Sequence, residues 1–303
     1  MESWRSPHGR RLPAISRRTL IMGVLNVTPD SFSDGGQLSS IQAVVDRAGE
    51  MLATGADVLD LGGESTRPGG QPVSATEEMD RVLPALAALR RAWPAVPISI
   101  DTYKAGVADA AIRSGADLIN DVWGLTSGLT PELRERWRDA ARADETSPAL
   151  PLPPMAQMAG RLNCPVILMH NRPDRDYRDF WVDVLFDLEL SLTLARCAGV
   201  AKHQIWLDPG FGFAKDAAQN LEVLKRLERI VSLGYPVLVG TSRKSTIGKI
   251  LGTSVEDRIE GTAATVVWAI QQGCHMVRVH DVAQIVRFVR TADAIKAGTE
   301  FSL

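Results

Sequence analysis

The chain is poor in cysteine. Three cysteines, Cys164, Cys197 and Cys274, are spread over 303 residues without any CxxC pair. Their odd number and wide spacing exclude a disulfide framework and a cysteine-bound metal site. Cys164 and Cys274 stand beside apolar runs, so we expect them to be small core residues. The composition therefore indicates a reducing, cytoplasmic environment.

The chain also lacks an excess of charge and long apolar runs. Its formal net charge is -2, so it has no basic surface of the kind that nucleic-acid-binding proteins present. No apolar stretch reaches the roughly 20 residues that cross a bilayer. Residues 1–18 are basic and contain no apolar signal-peptide core, so we expect a solvated lead-in to a single domain over residues 19–303. The expected partners are small molecules, with neither nucleic acid nor membrane.

What the sequence does contain is a series of eight short apolar runs. Most are rich in Val and Ile, and segments of helical length separate them, which indicates βαβ units around a parallel sheet. Eight such units predict an α/β fold of the (β/α)₈ TIM-barrel type; an open, doubly wound sheet is the alternative. The predicted strands are Leu20–Leu25, Val58–Leu61, Ile98–Ile100, Leu118–Ile119, Val166–Met169, Ile205–Leu207, Val237–Val239 and Met276–Val279.

Three helices can be delimited from their capping residues and apolar spacing. The first is expected to begin at Ser39 or Ser40, and the other two span Glu77–Arg91 and Val255–Gln272. Pro84 cannot donate a backbone hydrogen bond within the second helix. We therefore expect a kink or a late start there.

One segment interrupts the alternation of strands and helices. Between Trp123 and Leu162 the chain carries the charged run Arg134–Arg138 and then the proline-rich run Ser147–Pro154. The charged run predicts a short surface helix, and the proline-rich run predicts an extended linker. We interpret residues 126–160, approximately, as an insertion between strands four and five and not as a domain boundary.

Each predicted strand ends in polar or charged residues. Burying so many polar groups is costly unless they meet one another or a polar ligand. In a barrel all of them would gather at the carboxyl ends of the strands, where barrel enzymes keep their active sites. These residues are Asn26; Asp60 with Glu64, Thr66 and Arg67; Asp101; Asn120 with Asp121; His170 and Asn171; Asp208; Arg243 with Lys244 and Ser245; and Arg278 with His280.

These strand-end residues differ in charge along the chain. Acceptors follow strands two, three, four and six, whereas the cations Arg243, Lys244 and Arg278 follow strands seven and eight, where barrels often bind phosphate. The pattern predicts a nitrogen-rich ring on one side of the site and a phosphorylated group on the other. His280 is expected to face the site, while His170 could be a structural residue or a ligand.

Two loops complete the predicted site. Asp208–Phe213 forms a glycine-containing turn whose aromatics could stack on a planar substrate or simply pack against the protein. Gly62–Gly70 has glycine on both flanks, which suits a loop that closes over a ligand. An ordinary exposed loop is the alternative for the second segment.

Taken together, these segments resemble the dihydropteroate synthases of the pterin-binding family over about residues 20–283. The resemblance implies a (β/α)₈ transferase that joins (7,8-dihydropterin-6-yl)methyl diphosphate to 4-aminobenzoate, giving 7,8-dihydropteroate and diphosphate for folate biosynthesis. It also implies Mg²⁺ and a homodimer. The matching segments are Gly23–Gly36, Ala56–Gly69, Ile98–Lys104, Asn120–Asp121, Asp208–Phe213, Gly240–Ser245 and Arg278–His280.

The same resemblance implies individual roles. Catalytic roles fall to Thr66, Arg67, Lys244 and Asp101. The implied substrate-binding residues are Asp60; Asp101, Asn120, Asp208 and Lys244 around the pterin; Asn26, Arg278 and His280 at the diphosphate, with Asn26 also a ligand of Mg²⁺; Thr66 and Arg67 on the closing loop; and Pro68, Phe213 and Ser245 beside the aminobenzoate.

Two features depart from the family pattern, and two rival functions remain. The region from Trp123 to Leu162 is longer and richer in proline than expected, and Ala214 stands where a further glycine is usual. The rivals are a corrinoid methyltransferase, which would not need Arg278 and His280, and a catalytically silent pterin-binding paralogue. A silent paralogue would be expected to lose residues such as Thr66 and Arg67.

Overall fold

Eight parallel strands form the centre of the computed structural model, which describes residues 4–12, 14–15, 18–27, 37–65, 72–145 and 149–298, without the side chains of residues 37–40. Their order is β6-β5-β4-β3-β2-β1-β8-β7. The strands are β1 (Leu20–Asn26), β2 (Val58–Gly62), β3 (Ile98–Asp101), β4 (Leu118–Asp121), β5 (Val166–Met169), β6 (Ile205–Asp208), β7 (Leu238–Val239) and β8 (Met276–Val279).

The sheet closes on itself between β6 and β7. Leu207 and Val237 form a parallel bridge there, and the amide N–H of Leu207 donates to the carbonyl of Pro236 at 2.9 Å. Closure removes the exposed sheet edges that an open sheet would leave. The predicted (β/α)₈ barrel is therefore confirmed, and the doubly wound alternative is wrong.

Helices surround the barrel. They are α1 (Gln37–Thr54), α2 (Ala75–Ala92), α3 (Ala105–Arg113), α4 (Pro131–Arg142), α5 (Pro154–Leu162), α6 (Phe180–Cys197), α7 (Ala217–Lys225), α8 (Glu228–Val231), α9 (Ser245–Leu251), α10 (Ile259–Gln271) and α11 (Val282–Ala297). Within the ranges that the structure describes, no helix is long and apolar enough to cross a membrane.

The helix boundaries correct three predictions. α1 begins at Gln37, before the predicted serine caps. α2 starts at Ala75, because Ser74 caps it by accepting the amide N–H of Glu77 at 3.1 Å, and it includes Pro84, so a late start at Pro84 is wrong. α10 begins only at Ile259, four residues after the predicted start.

Side-chain alternation along the strands divides the core into two parts. Outward-facing residues such as Leu59, Ile100 and Val277 pack under the helices. Inward-facing residues fill the amino-terminal end of the barrel with a second apolar cluster: Leu20, Met22, Val58, Leu118, Ile167, Trp206, Leu238 and Met276. Two residues further along most of these strands, the next inward position is polar, and this step creates the site described below.

The amino-terminal segment closes the bottom of this barrel. Trp4 and Leu12 are only 1% and 5% exposed and belong to the inward apolar cluster. A bridge between Arg5 and Arg11 folds the segment back on itself. The expectation of a solvated lead-in is therefore wrong for these residues, because their apolar side chains cover the open end of the barrel.

The region predicted as an insertion consists of α4 and most of α5. α5 packs against α3 and α6 and occupies the regular position of a barrel helix between β4 and β5. α4 is the additional element, and it packs on α6. It is more than a surface helix, since Trp137 is fully buried and its indole N–H donates to the carbonyl of Pro151 at 3.1 Å. Pro154 begins α5, which suits a residue without an N–H.

Candidate active site

The inward polar positions open into one pocket at the carboxyl ends of the strands. Asp60, Asn120, Asp208 and Arg278 follow the inward apolar residues of their strands by two positions, so they point into the barrel. The pocket brings together most of the predicted site residues. Those that line it are Asn26, Asp101, Asn120, Asp208, Phe213, Lys244, Ser245, Arg278 and His280.

Three predicted site residues lie outside the described part of the chain. They are Thr66, Arg67 and Pro68, in the loop after β2. Glu64, which the structure does describe, makes contacts next to this segment. Glu64 lines the pocket, accepts the amide N–H of Val73 at 3.3 Å, and forms an ion pair with Lys104.

Arg278 joins the acidic residues at the centre of the pocket. Its Nε donates to Oδ2 of Asp60 at 2.6 Å, and its Nη2 donates to Oδ2 of Asp101 at 2.6 Å. Asn120 donates from Nδ2 to the same Asp60 oxygen at 3.1 Å. The predicted separation of acids from cations is therefore wrong for Arg278, because a carboxylate as deeply buried as Asp60 needs a cation in contact.

This arrangement shifts the pKa values of the buried groups. Burial raises the pKa of Asp101 to about 7, an effect that Arg278 opposes and Asp60 reinforces. Burial also raises the pKa of Asp208 to about 6, against the hydrogen bond from the amide of Gly210 and the charge of Lys244. Burial alone would lower the pKa of Arg278, but Asp60 and Asp101 together raise it above its ordinary value, so the guanidinium stays charged.

Two carboxylate oxygens at the centre of the site lack a partner in the described part of the chain. Oδ1 of Asp101, which lines the pocket, and Oδ1 of Asp60, which lies fully buried and does not line it, have no hydrogen-bond partner among the described residues. Asp208 uses Oδ1 to accept the amide N–H of Gly210 at 2.7 Å. Unpaired buried acceptors are costly, so this pocket favours a ligand that carries several N–H donors.

Lys244 and Phe213 form one wall of the pocket. The ammonium of Lys244 lies 4.2 Å from the centroid of the Phe213 ring, which is a cation–π distance. Lys244 directly precedes α9, and Ser245 is the first residue of that helix. A flat ring and a cation side by side can hold a planar, polar heterocycle.

His280 is fixed by the neighbouring strand end. Its ring Nδ1 lies 3.0 Å from Oγ of Ser242, and its amide N–H donates to the same oxygen at 3.1 Å. The guanidinium of Arg243 donates two hydrogen bonds to the carboxylate of Asp281, at 2.8 and 2.5 Å. Arg243 also lines the pocket, so its assignment as a phosphate donor stays a prediction.

Two other residues at strand ends make contacts within the protein and do not line the pocket. Asp121 points outward and accepts the amide N–H groups of Trp123 and Leu125 at 2.9 and 2.7 Å. His170 is fully buried beside Lys215, with 2.7 Å between Nδ1 and Nζ, and it does not line the pocket. The burial of Lys215 could not be predicted from the sequence, since a lysine in a polar loop is normally exposed.

One part of the pocket offers an oxygen of the type that Mg²⁺ prefers. A Cβ placed on Gly62 would lie 3.7 Å from both Oδ1 of Asn26 and Oδ2 of Asp101, and Oδ2 of Asp101 already accepts a hydrogen bond from Arg278. Across the described ranges, no group of three His, Cys, Asp or Glu residues could hold a metal. The amide oxygen of Asn26 is therefore the protein ligand that fits Mg²⁺ here, an ion that takes few protein ligands and completes its shell with water and substrate phosphates.

Known proteins resemble this chain throughout the barrel. Residues 22–280 match the family described as pterin binding enzyme. A dihydropteroate synthase of Bacillus subtilis is 49% identical over 278 residues, which cover 92% of this chain and 89% of that protein. The structure of Clostridium difficile dihydropteroate synthase, determined in the presence of pteroic acid, is similar with a TM-score of 0.81 at 43% identity, covering 92% and 97% of the two chains. That of the Xanthomonas albilineans enzyme with 4-aminobenzoic acid has a TM-score of 0.82 at 38% identity, covering 96% and 97%.

Proposed function

Because the chain belongs to the pterin-binding enzyme family, we propose that it catalyses the dihydropteroate synthase reaction. It joins (7,8-dihydropterin-6-yl)methyl diphosphate to 4-aminobenzoate and releases diphosphate, as a transferase of folate biosynthesis. The observation that carries this proposal is the convergence of the acceptors Asp101, Asn120 and Asp208 with the cations Lys244 and Arg278 in one pocket.

The acceptors hold the pterin. The aminopyrimidine edge of a pterin presents several N–H groups, and carboxylates accept such groups with short, strong hydrogen bonds. Oδ2 of Asp208 accepts an N–H group of the pterin, since Oδ1 accepts the amide N–H of Gly210. Asp101 and Asn120 supply further contacts from β3 and β4, and Lys244 with Phe213 covers the ring.

The reaction proceeds without a protein nucleophile. The bond between the pterin methylene carbon and the diphosphate oxygen breaks, and the oxygen keeps the electron pair. The ring spreads the positive charge that develops on the carbon, and the nearby carboxylates stabilise it. The amine of 4-aminobenzoate, held close to that carbon, forms the new C–N bond and then loses a proton. Arg278 and His280 face the departing diphosphate.

Further site residues belong to the same proposal. Thr66 and Arg67 act from the loop after β2, and Pro68, Phe213 and Ser245 border the aminobenzoate; Phe213 and Ser245 line the described pocket. Asn26 would hold Mg²⁺ through its amide oxygen, and a bound Mg²⁺ would supply positive charge beside the leaving diphosphate.

We propose that the enzyme is a cytoplasmic homodimer. The three free cysteines agree with a reducing compartment. Large exposed apolar side chains gather on α7, α9, α10 and α11, helices that pack against one another, and they include Trp268 with 49% exposure. A second copy of the chain is the occupant that covers this face. Changing Trp268 to Glu should shift the protein from dimer to monomer in sedimentation velocity.

Product formation tests the proposed reaction. Purified protein, both substrates and Mg²⁺ should release one diphosphate for each dihydropteroate that mass spectrometry detects. No dihydropteroate should form when 4-aminobenzoate is left out. A protein that binds the pterin but forms no product would instead match the silent paralogue, and methyl transfer to a corrinoid would match the other rival.

A further inference from the structure

A buried polar cluster lies behind the pocket wall formed by the loop after β6. Lys215, His170 and Asp187 are 4%, 1% and 7% exposed. None of the three lines the pocket, and none has a part in the reaction described above. A lysine buried this deeply is costly, so its contacts require an explanation.

Lys215 makes three contacts with hydrogen-bond acceptors. Its Nζ lies 2.7 Å from Nδ1 of His170, 3.2 Å from the carbonyl of Gly210 and 3.2 Å from the carbonyl of Phe213. An ammonium has three N–H donors, which match these three acceptors. A neutral amine has only two, so one acceptor would then face a lone pair. The geometry therefore selects the charged form of Lys215.

His170 acts as an acceptor because it is neutral. Burial, followed by the charge of Lys215, lowers the pKa of His170 to about 4. Its other ring nitrogen, Nε2, lies 3.4 Å from Oδ2 of Asp187, and Nε of Arg172 lies 3.2 Å from the same oxygen. Asp187 thus favours the tautomer with a proton on Nε2, which leaves the lone pair of Nδ1 for Lys215.

The two carbonyls that Lys215 holds belong to the turn that forms the pterin pocket. Gly210 has a φ of 66°, and a Cβ there would lie 2.0 Å from the carbonyl oxygen of His170. The same residue donates its amide N–H to Asp208, and Phe213 ends the turn under Lys244. A shift of this turn would therefore move Asp208 and Phe213 together.

We propose that Lys215 is a positioning residue for pterin binding. Its ammonium donates hydrogen bonds to the carbonyls of Gly210 and Phe213 and to Nδ1 of His170, and these bonds hold Asp208 and the Phe213 ring in place. The inference rests on the proposed function, since it assumes that the pocket binds a pterin. Asp187 supports this arrangement, because it favours the tautomer of His170 in which Nδ1 can accept a hydrogen bond from Lys215.

The charge of Lys215 makes the pocket sensitive to pH. The groups that face it are His170, Asp208, Asp187, Lys244 and Arg172. Burial lowers the pKa of Lys215 to about 7, and the two carboxylates only partly oppose this. As the pH rises above 7, Lys215 loses its third N–H donor. One of its three hydrogen bonds is then lost, and the turn from Asp208 to Phe213 is held less firmly. Pterin affinity should therefore fall on the alkaline side.

The test measures the affinity for pteroic acid by titration calorimetry between pH 6 and 9. Lys215→Met keeps the length of the side chain but removes all three donors. It should bind about tenfold more weakly than the parent at pH 6.5, the loss expected when buried acceptors lose a charged donor, and it should lack the alkaline decline. Lys225→Met, on the exposed side of α7, should retain both the affinity and the decline.

A pair of variants at His170 provides a second test that leaves Lys215 intact. His170→Asn places an amide oxygen where Nδ1 stood and should bind nearly as the parent does. His170→Leu removes the acceptor and should bind as weakly as Lys215→Met. If Lys215→Met or His170→Leu binds like the parent with the same alkaline decline, the inference is wrong. A parent protein that fails to bind pteroic acid at any pH would instead overturn the proposed function, and the inference with it.

Discussion

Replacing Arg278 by methionine removes the cation that two buried carboxylates share. Asp60 is fully buried and Asp101 is 7% exposed, and each accepts a 2.6 Å hydrogen bond from this guanidinium. Removing one partner from a buried ion pair costs about 3–5 kcal/mol, because the remaining charge is left uncompensated. We expect Arg278→Met to lose about this much free energy of unfolding at pH 7, in addition to its affinity for diphosphate.

The loss in Arg278→Met should depend on pH. Burial already raises the pKa of Asp101 to about 7 against the opposing charge of Arg278, so without Arg278 this pKa rises further above its unfolded value and the folded protein takes up a proton more readily. The stability that protonation provides is present in acid and is lost as the pH rises through the folded-state pKa of Asp101. The difference between Arg278→Met and the parent should therefore shrink from pH 7 to pH 5.

Urea unfolding followed by circular dichroism measures these differences. Arg287→Met, an exposed arginine on α11, serves as the control and should change the free energy of unfolding by no more than about 0.5 kcal/mol. Adding Asp60→Asn to Arg278→Met removes one uncompensated charge and should recover part of the loss. If Arg278→Met is as stable as the parent at pH 7, the ion-pair account of the pocket is wrong.

Three further predictions concern the pocket and the base of the barrel. Asp208→Asn should weaken pteroic acid binding about 100-fold in calorimetry, because an amide replaces a carboxylate that accepts N–H groups; equal affinity would show that the pterin does not contact this side chain. In the parent, burial raises the pKa of Asp208 to about 6, so below pH 6 the affinity for pteroic acid should fall up to tenfold per unit as this carboxylate is protonated; a flat acid profile would contradict its role. Trp4→Ala should cost about 3–5 kcal/mol of stability with an unchanged KM for both substrates, and a stable variant would show that the amino-terminal segment does not close the barrel.

Most of the site could be predicted from the sequence because strand geometry is regular. Side chains alternate along a strand, and parallel strands end at the same edge, so Asn26, Asp101 and Asp208 had to meet. What the sequence could not provide is the register between distant strands. The contact of Arg278 on β8 with Asp60 on β2 and Asp101 on β3 depends on that register, and so the direct pairing of acid and cation was missed.

Residues outside the regular elements were harder to predict. Trp4 lies among arginines and prolines, where a single apolar residue gives no periodic signal. Lys215 looks like any loop lysine in the sequence, and its contact with His170, which directly follows β5, depends on the fold. Arg243 lines the pocket as predicted, but its ion pair with Asp281 depends on the distance between two loops and could not be predicted from the sequence.

A crystal structure of the protein with pteroic acid and diphosphate tests the central claim most directly. The account predicts the aminopyrimidine edge of the pterin against Asp208, Asn120 and Asp101, with diphosphate in contact with Arg278 and His280. A pterin bound elsewhere on the molecule, or diphosphate bound away from the end of β8, would contradict it.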